Sequence, residues 1–280
     1  KLVSDHPDNV EKFDKLIELT ELFYEMPLYD SAGHYADKAM KLAFELDYQE
    51  GISDALYKKG LIFSKTGDYN SGIRTINEML RICDSLNYED RKVKGYWLYS
   101  LLLKDKGEID KSIHYLNLSL ESYRMKNDSL RMMSVYNSMG SLFLNIQQYD
   151  SAIAYYYDAM RLAEALGHES GLAAILNNMG RTMLYLPRPD FERAKEYLIK
   201  SLQVNKKKNR LYSLALNYAN LGNLYNLKEE LDSALYYYKL SGELDEKIGN
   251  IHGLVNNYNN LSEVHEKQGK YDEAMDNYKR

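Results

Sequence analysis

An aromatic or aliphatic residue returns at Tyr29, Tyr69, Ile109, Tyr149, Phe191, Leu231 and Tyr271, in steps of 40, 40, 40, 42, 40 and 40 residues. A period in this range marks stacked supersecondary units, none of which can bury its apolar face without its neighbours. Such a chain builds one long surface rather than converging a few reactive groups in a pocket.

Three residues after each of these anchors sits a small side chain: Ala32, Gly72, Ser112, Ala152, Ala194, Ala234 and Ala274. A second small residue precedes most anchors by nine positions: Thr20, Gly60, Ser100, Gly140, Gly222 and Ser262. Gly180 stands eleven before Phe191 because of a two-residue insertion. Glycine in a helix interior costs about 1 kcal/mol relative to alanine, so its return at one phase predicts tight helix crossings. Between the landmarks the apolar spacing is helical: Leu56, Gly60 and Phe63 share one face of a helix from about Ser53 to Thr66. Gly67-Asp68 turns the chain. A second helix from about Tyr69 to Leu86 turns Ile73, Ile76, Met79, Leu80 and Cys83 inward. No segment alternates with period two for long, so the expected class is all-α.

Gly140-Ser-Leu-Phe143, Gln148-Tyr-Asp-Ser-Ala-Ile-Ala-Tyr155 and Ala159, together with Gly222-Asn-Leu-Tyr225 and Asp232-Ser-Ala-Leu-Tyr236, resemble the tetratricopeptide repeat. The period of about 40, with Leu166-Gly-His168 and Ile248-Gly-Asn250 between units, is similar to the long form found in kinesin light chains and bacterial peptide-pheromone receptors. The resemblance implies a right-handed α-solenoid of antiparallel helical hairpins over the whole chain, read as one array. Its seven units fall at about 8–48, 49–88, 89–128, 129–168, 169–210 and 211–250, with 251–280 incomplete. The apolar stripe at Ala274 and Tyr278 has no polar cap after it, and the chain begins at Lys1, so a piece of a longer protein is expected.

With 36 Lys and Arg against 41 Asp and Glu, the net charge of −5 offers no global field for nucleic acid or an anionic membrane. No apolar run approaches the roughly 20 residues that span a bilayer. The single cysteine, Cys83, excludes an internal disulfide and is read as a core residue. The compartment stays open, cytoplasmic or periplasmic. Pro187-Arg-Pro189 accompanies the insertion and is read as a surface loop.

Counting from the hairpin-facing residues, a neighbouring face of the first helices is rich in asparagine: Asn137, Asn177, Asn178, Asn220, Asn223, Asn256, Asn259 and Asn260. An amide side chain carries one acceptor and two donor hydrogens, so asparagines one repeat apart can hold an extended peptide by its main chain. In the long-repeat family the phrase Asn-Leu-Gly has this role, and the resemblance carries it to Asn178, Asn220 and Asn260. Lys58 and Ser138 occupy the matching place in earlier units. The alternative is that the amides bond neighbouring helices and need no ligand. In the early units the surface is expected to carry Tyr57, Lys58, Leu61, Trp97, Leu98 and Leu101, with Trp97 either an anchor for a partner or packed between repeats. The family's clamp for a carboxyl-terminal motif is incomplete here, although Arg181 can pair with a carboxylate. The tyrosine runs 155–157 and 236–238 are read as packing between neighbouring hairpins.

The six histidines, His6, His34, His114, His168, His252 and His265, show no i, i+4 metal spacing, and neither a phosphate loop nor a nucleophile elbow is present. No cofactor or catalytic residue is assigned. The expected function is non-catalytic binding of a protein or extended peptide. Two alternatives stand beside it: the sensory or autoinhibitory region of a bacterial regulator or kinase, and a self-associating scaffold able to form homodimers.

Overall fold

The computed structural model describes residues 7–279; His6 lies outside them. Fourteen helices follow one another among the described residues, with no strand. In chain order they are α1 (Pro7–Glu25), α2 (Tyr29–Glu45), α3 (Gln49–Thr66), α4 (Tyr69–Leu86), α5 (Glu89–Asp105), α6 (Ile109–Met125), α7 (Ser129–Asn145), α8 (Tyr149–Ala165), α9 (Glu169–Tyr185), α10 (Phe191–Lys207), α11 (Leu211–Leu227), α12 (Leu231–Ile248), α13 (Ile251–Lys267) and α14 (Tyr271–Tyr278). The anchors read from the sequence open every second helix. α3 begins four residues before the expected Ser53, because the preceding turn is only three residues long.

The helices form two compact units, Lys1–Asp128 and Ser129–Arg280. The first holds the hairpins α1/α2, α3/α4 and α5/α6; the second holds α7/α8, α9/α10, α11/α12 and α13/α14. Within each unit the backbones of the first helices of successive hairpins approach one another closely, whereas those of the second helices stand farther apart. First helices therefore line the inner side of each stack.

The turns explain the even hairpins. In the α5–α6 turn the Gly107 N–H donates to Lys104 O at 3.0 Å and the Glu108 N–H to Leu103 O at 2.8 Å. This is a Schellman closure around a left-handed residue, and it satisfies two helix-end carbonyls. Gln147, Asn209 and Glu229 take the same place with φ of 59°, 50° and 61°, so glycine is not obligatory there. The Pro187-Arg-Pro189 loop breaks the pattern: Leu186 leaves α9 at ψ 150°, the Asp190 N–H bonds Met183 O, and the Asp190 carboxylate caps Arg193 N at 3.0 Å. Both prolines are exposed.

Each small residue three positions after an anchor is buried, from Ala32 to Ala274. The glycines on the first helices admit a neighbour's ring. A Cβ built on Gly140 would lie 2.6 Å from Tyr156, and one on Gly222 would lie 2.5 Å from Tyr238. The tyrosine runs separate by helical phase, at 100° per residue. Tyr155 stacks on Phe143 with centroids 5.2 Å apart, Tyr156 is fully buried, and Tyr157 is exposed with its hydroxyl 3.3 Å from that of Tyr197. Tyr237 likewise stacks on Tyr225 at 5.3 Å. The Tyr155 and Tyr237 stacks lie within a hairpin, across its two helices, which corrects the expectation of packing between hairpins, whereas the Tyr157 and Tyr197 hydroxyls do meet between neighbouring hairpins at the rim. Cys83 is fully buried beside Ser53 Oγ at 3.4 Å, and burial pushes its thiol up.

Candidate functional site

The asparagines of the second unit come together on the inner side of its first helices. Adjacent first helices bring the residue two before one glycine beside the residue three before the preceding glycine. Asn178 Nδ2 thus donates to Asn137 Oδ1 at 3.0 Å, and Asn220 Nδ2 donates to Asn177 Oδ1 at 3.1 Å. Beneath this row Asn217 Nδ2 donates both to Asn177 Oδ1 at 2.9 Å and to Ser201 Oγ at 2.9 Å, which uses both of its hydrogens. Asn205, near the end of α10, donates to Asn217 Oδ1 at 2.8 Å.

Farther along α11, Asn223 accepts a hydrogen bond from the Tyr238 hydroxyl at 2.7 Å. Asn226 joins α13 by donating to Glu263 at 3.0 Å and accepting from Lys267 at 2.7 Å. Lys267 and then Asn226 hold the Glu263 carboxyl below its ordinary value. Asn256 and Asn259 are exposed and Asn260 is half-buried. Asn257 between them is buried and donates to Asp245 at 2.7 Å; Asp245 also accepts from Asn250 at 2.7 Å. Burial raises the Asp245 pKa, and the two amides act against that rise.

Arg181, one residue past Gly180, is half-buried. It makes no ion pair with a described carboxylate, and its Nε is buried with no acceptor. It borders a cavity of about 320 Å³ lined also by Leu144, Asn145, Gln147, Tyr149 and Tyr185. The Tyr156 hydroxyl is also buried, beside the Ser141 and Thr182 side chains, and makes no hydrogen bond of ordinary geometry. Burial pushes it up to about 12, with the charge of Arg181 and then the Ser141 and Thr182 side chains acting in the opposite direction.

Tyr57, Lys58 and Trp97 belong to the first unit. Tyr57 and Trp97 pack against its core, and Lys58 is ion-paired with Glu21. Leu98, expected on the surface, is fully buried: a Cβ on Gly60 would lie 3.0 Å from it, so it fills the space that the glycine opens. Among the described residues no three His, Cys, Asp or Glu side chains converge as a metal site, and no helix is long and apolar enough to cross a membrane.

Sequence reasoning missed the buried amides Asn205, Asn217, Asn226 and Asn257. A signal existed, because Asn137, Asn177, Asn217 and Asn257 stand 40 residues apart.

Helical hairpins with a small-residue crossing and an anchor opening each second helix define a repeat-array protein whose inner face is polar. The profile of the family described as tetratricopeptide repeat matches residues 131–207 and 211–280, more than half of the sequence, and the chain belongs to that family. Among solved structures, it is similar to the Rap conjugation gene regulator of plasmid pLS20 in complex with the Phr* peptide, with a TM-score of 0.77 and 15% identity over 99% of this chain and 74% of that one. The apo form of the quorum sensor NprR from B. thuringiensis matches with a TM-score of 0.55 and 16% identity, covering 100% of this chain and 98% of its own. BtubC (BKLC) from P. vanneervenii matches with a TM-score of 0.59 and 21% identity over 74% and 87%. No curated protein sequence matches the chain.

Proposed function

We propose that this chain is a non-catalytic module that binds an extended polypeptide along the inner side of its second unit. The observation that carries the reading is the paired amide row. Asn178 and Asn220 each give one hydrogen to the preceding repeat, while their Oδ1 atoms accept no hydrogen bond among the described residues. Each side chain thus has its plane held in place and keeps one N–H and one C=O, the complement of a peptide unit. A fixed amide loses less conformational freedom on binding than a free one. Asn223, Asn256, Asn259 and Asn260 continue the amides along α11 and α13. The likeness to a regulator solved with the Phr* peptide supports a peptide as the ligand class. The net charge of −5 argues against nucleic acid.

The test is selection of binders from a random-sequence peptide library on the whole chain, followed by affinity measurement on a triple variant, Asn178→Ala, Asn220→Ala and Asn260→Ala. Affinity is expected to fall at least tenfold with helical content unchanged. A library that yields no binder, or one that the variant binds equally well, overturns the reading.

A further inference from the structure

We propose that Asp245 is a proton-operated latch between α12 and α13, and that it regulates how firmly α13 presents Asn256, Asn259 and Asn260 to a ligand. The link to the ligand rests on the polypeptide reading above; the latch itself does not. Asp245 lies in the last turn of α12 with 3% of its surface exposed. Its carboxylate accepts from Asn250 Nδ2 in the turn and from Asn257 Nδ2 on α13, each at 2.7 Å. A Cβ built on Gly253 would lie 2.4 Å from that carboxylate, so the group is wedged against α13. The helices packed on α12 are α11 and α13. From the turn and α13 come Asn250, Gly253 and Asn257, none of which titrates; from α11 comes Tyr212, whose phenol is pushed up by burial and then by the Asp245 charge. No Lys, Arg or His forms an ion pair with Asp245 among the described residues. An anion buried without a counter-charge is costly, and the neutral acid is far less so.

The preceding repeat holds the neutral form of the same junction. Asn205, Ser201 and Asn217 stand 40 residues before Asp245, Ser241 and Asn257. There Asn205 Nδ2 donates to Asn217 Oδ1 at 2.8 Å, and Asn217 Nδ2 is free to serve Ser201 Oγ and Asn177 Oδ1. An ionised carboxylate has no hydrogen to give. Asn257 accordingly aims its Nδ2 at Asp245, where it also meets Ser241 Oγ at 3.1 Å and Gly253 O at 3.0 Å, and its Oδ1 is buried with no partner. Three acceptors share two hydrogens while one acceptor has none. A proton on Asp245 removes the buried charge and supplies the donor that Asn205 supplies one repeat earlier. Protonation therefore seats α13 on α12, and ionisation loosens it. Because burial raises the folded-state pKa above the ordinary 3.8, the seating is complete below that value and is lost as pH rises through the folded one.

The test is amide hydrogen exchange on the whole chain from about pH 4 to about pH 8, corrected for intrinsic rates, a span that begins at the ordinary carboxylate value. Protection of α13 relative to α7 is expected to fall by about tenfold or more across that range, the factor that one unit of pKa shift carries. Asp245→Asn, which installs the side chain of the preceding repeat, should hold protection level, and Glu243→Gln, which removes an exposed carboxylate of the same helix, should keep the parent's slope. A level profile in the parent overturns the latch, as does a slope that survives Asp245→Asn. The NMR shift of the Asp245 carboxyl carbon, followed in the parent, should share its midpoint with the exchange; separate midpoints overturn the latch even where the variant does not fold. Affinity for a library-selected peptide should fall over the same range in the parent and stay level in Asp245→Asn. A peptide held equally well throughout, with exchange still following Asp245, overturns the link to the ligand alone. A chain that captures no library peptide overturns the polypeptide reading and leaves the latch to be judged by exchange.

Discussion

The Tyr238 hydroxyl donates to Asn223 Oδ1 at 2.7 Å, whereas Tyr156, which occupies the same place two hairpins earlier, is buried with its hydroxyl unpaired. Both rings lie against a first-helix glycine, Gly222 and Gly140 respectively. The difference is the residue after that glycine. Asn223 accepts from the phenol, whereas the shorter Ser141 in the equivalent position lies beside the Tyr156 hydroxyl without a bond of ordinary geometry.

Removing the two hydroxyls should therefore have unequal effects. Tyr238→Phe is expected to cost about 1 kcal/mol, the net worth of an ordinary hydrogen bond, while Tyr156→Phe should be neutral or slightly stabilising. Urea unfolding of the two variants against the parent checks this, and equal losses would contradict the pairing.

Gly222→Ala should destabilise by about 1–3 kcal/mol, because its Cβ would stand 2.5 Å from the Tyr238 ring in a packed core. Gly33→Ala is the contrast. Nothing lies within 4 Å of its Cβ, so the better helix propensity of alanine should add about 0.5–1 kcal/mol. Thermal melts of the two variants should move in opposite directions.

Asp245→Ala leaves the buried amides of Asn250 and Asn257 without their 2.7 Å acceptor and should cost about 2–3 kcal/mol. The pH dependence has a definite sign. Burial raises the folded-state pKa above the ordinary 3.8, so the folded state binds this proton more tightly than the unfolded chain. The stability gap between parent and variant should be largest below that ordinary value and shrink as pH rises through the folded value. Denaturant midpoints measured across that range decide it, and a gap that widens with pH would refute the buried-carboxylate account.

Asn178→Ala and Asn220→Ala should each lower stability by about 1 kcal/mol, since each breaks a bond to the preceding repeat. Asn260→Ala, half-buried and without such a bond, should be close to neutral. Measuring the single variants by denaturation separates loss of stability from loss of ligand in the triple variant.

Cys83, the sole thiol, is fully buried and its pKa is raised by burial. A thiol-specific reagent should react at the rate at which this part of the first unit opens, and denaturant should accelerate it. Rapid modification in native buffer would show that α3 and α4 do not hold it as described.

The hairpins could be read in advance because period and phase are local properties. Tyr149, Ala152 and Tyr156, or Leu231, Ala234 and Tyr238, repeat at helical spacing, and each helix buries whatever lies on that stripe. Leu98 escaped that reading because its burial depends on Gly60 of the preceding hairpin. The stacks of Tyr155 on Phe143 and Tyr237 on Tyr225 were assigned to the wrong pair of helices, since phase tells which face a ring occupies and not which neighbour covers it. For the candidate site, the sequence located the amide row but left its use open between ligand and packing. In the structure Asn137, Asn177, Asn178 and Asn220 bond one another, and the peptide proposal rests on the groups those bonds leave over.

The sequence by itself determined the class of fold, the positions where second helices begin, and the small residues at which helices cross, because each depends on spacing along one chain. Only the tertiary structure decided which asparagines pair, that Asp245 is enclosed by Asn250 and Asn257, and that Arg181 Nε is buried without an acceptor. Those facts join side chains tens of residues apart, and a hydrogen bond forms or fails over tenths of an ångström that no periodicity encodes.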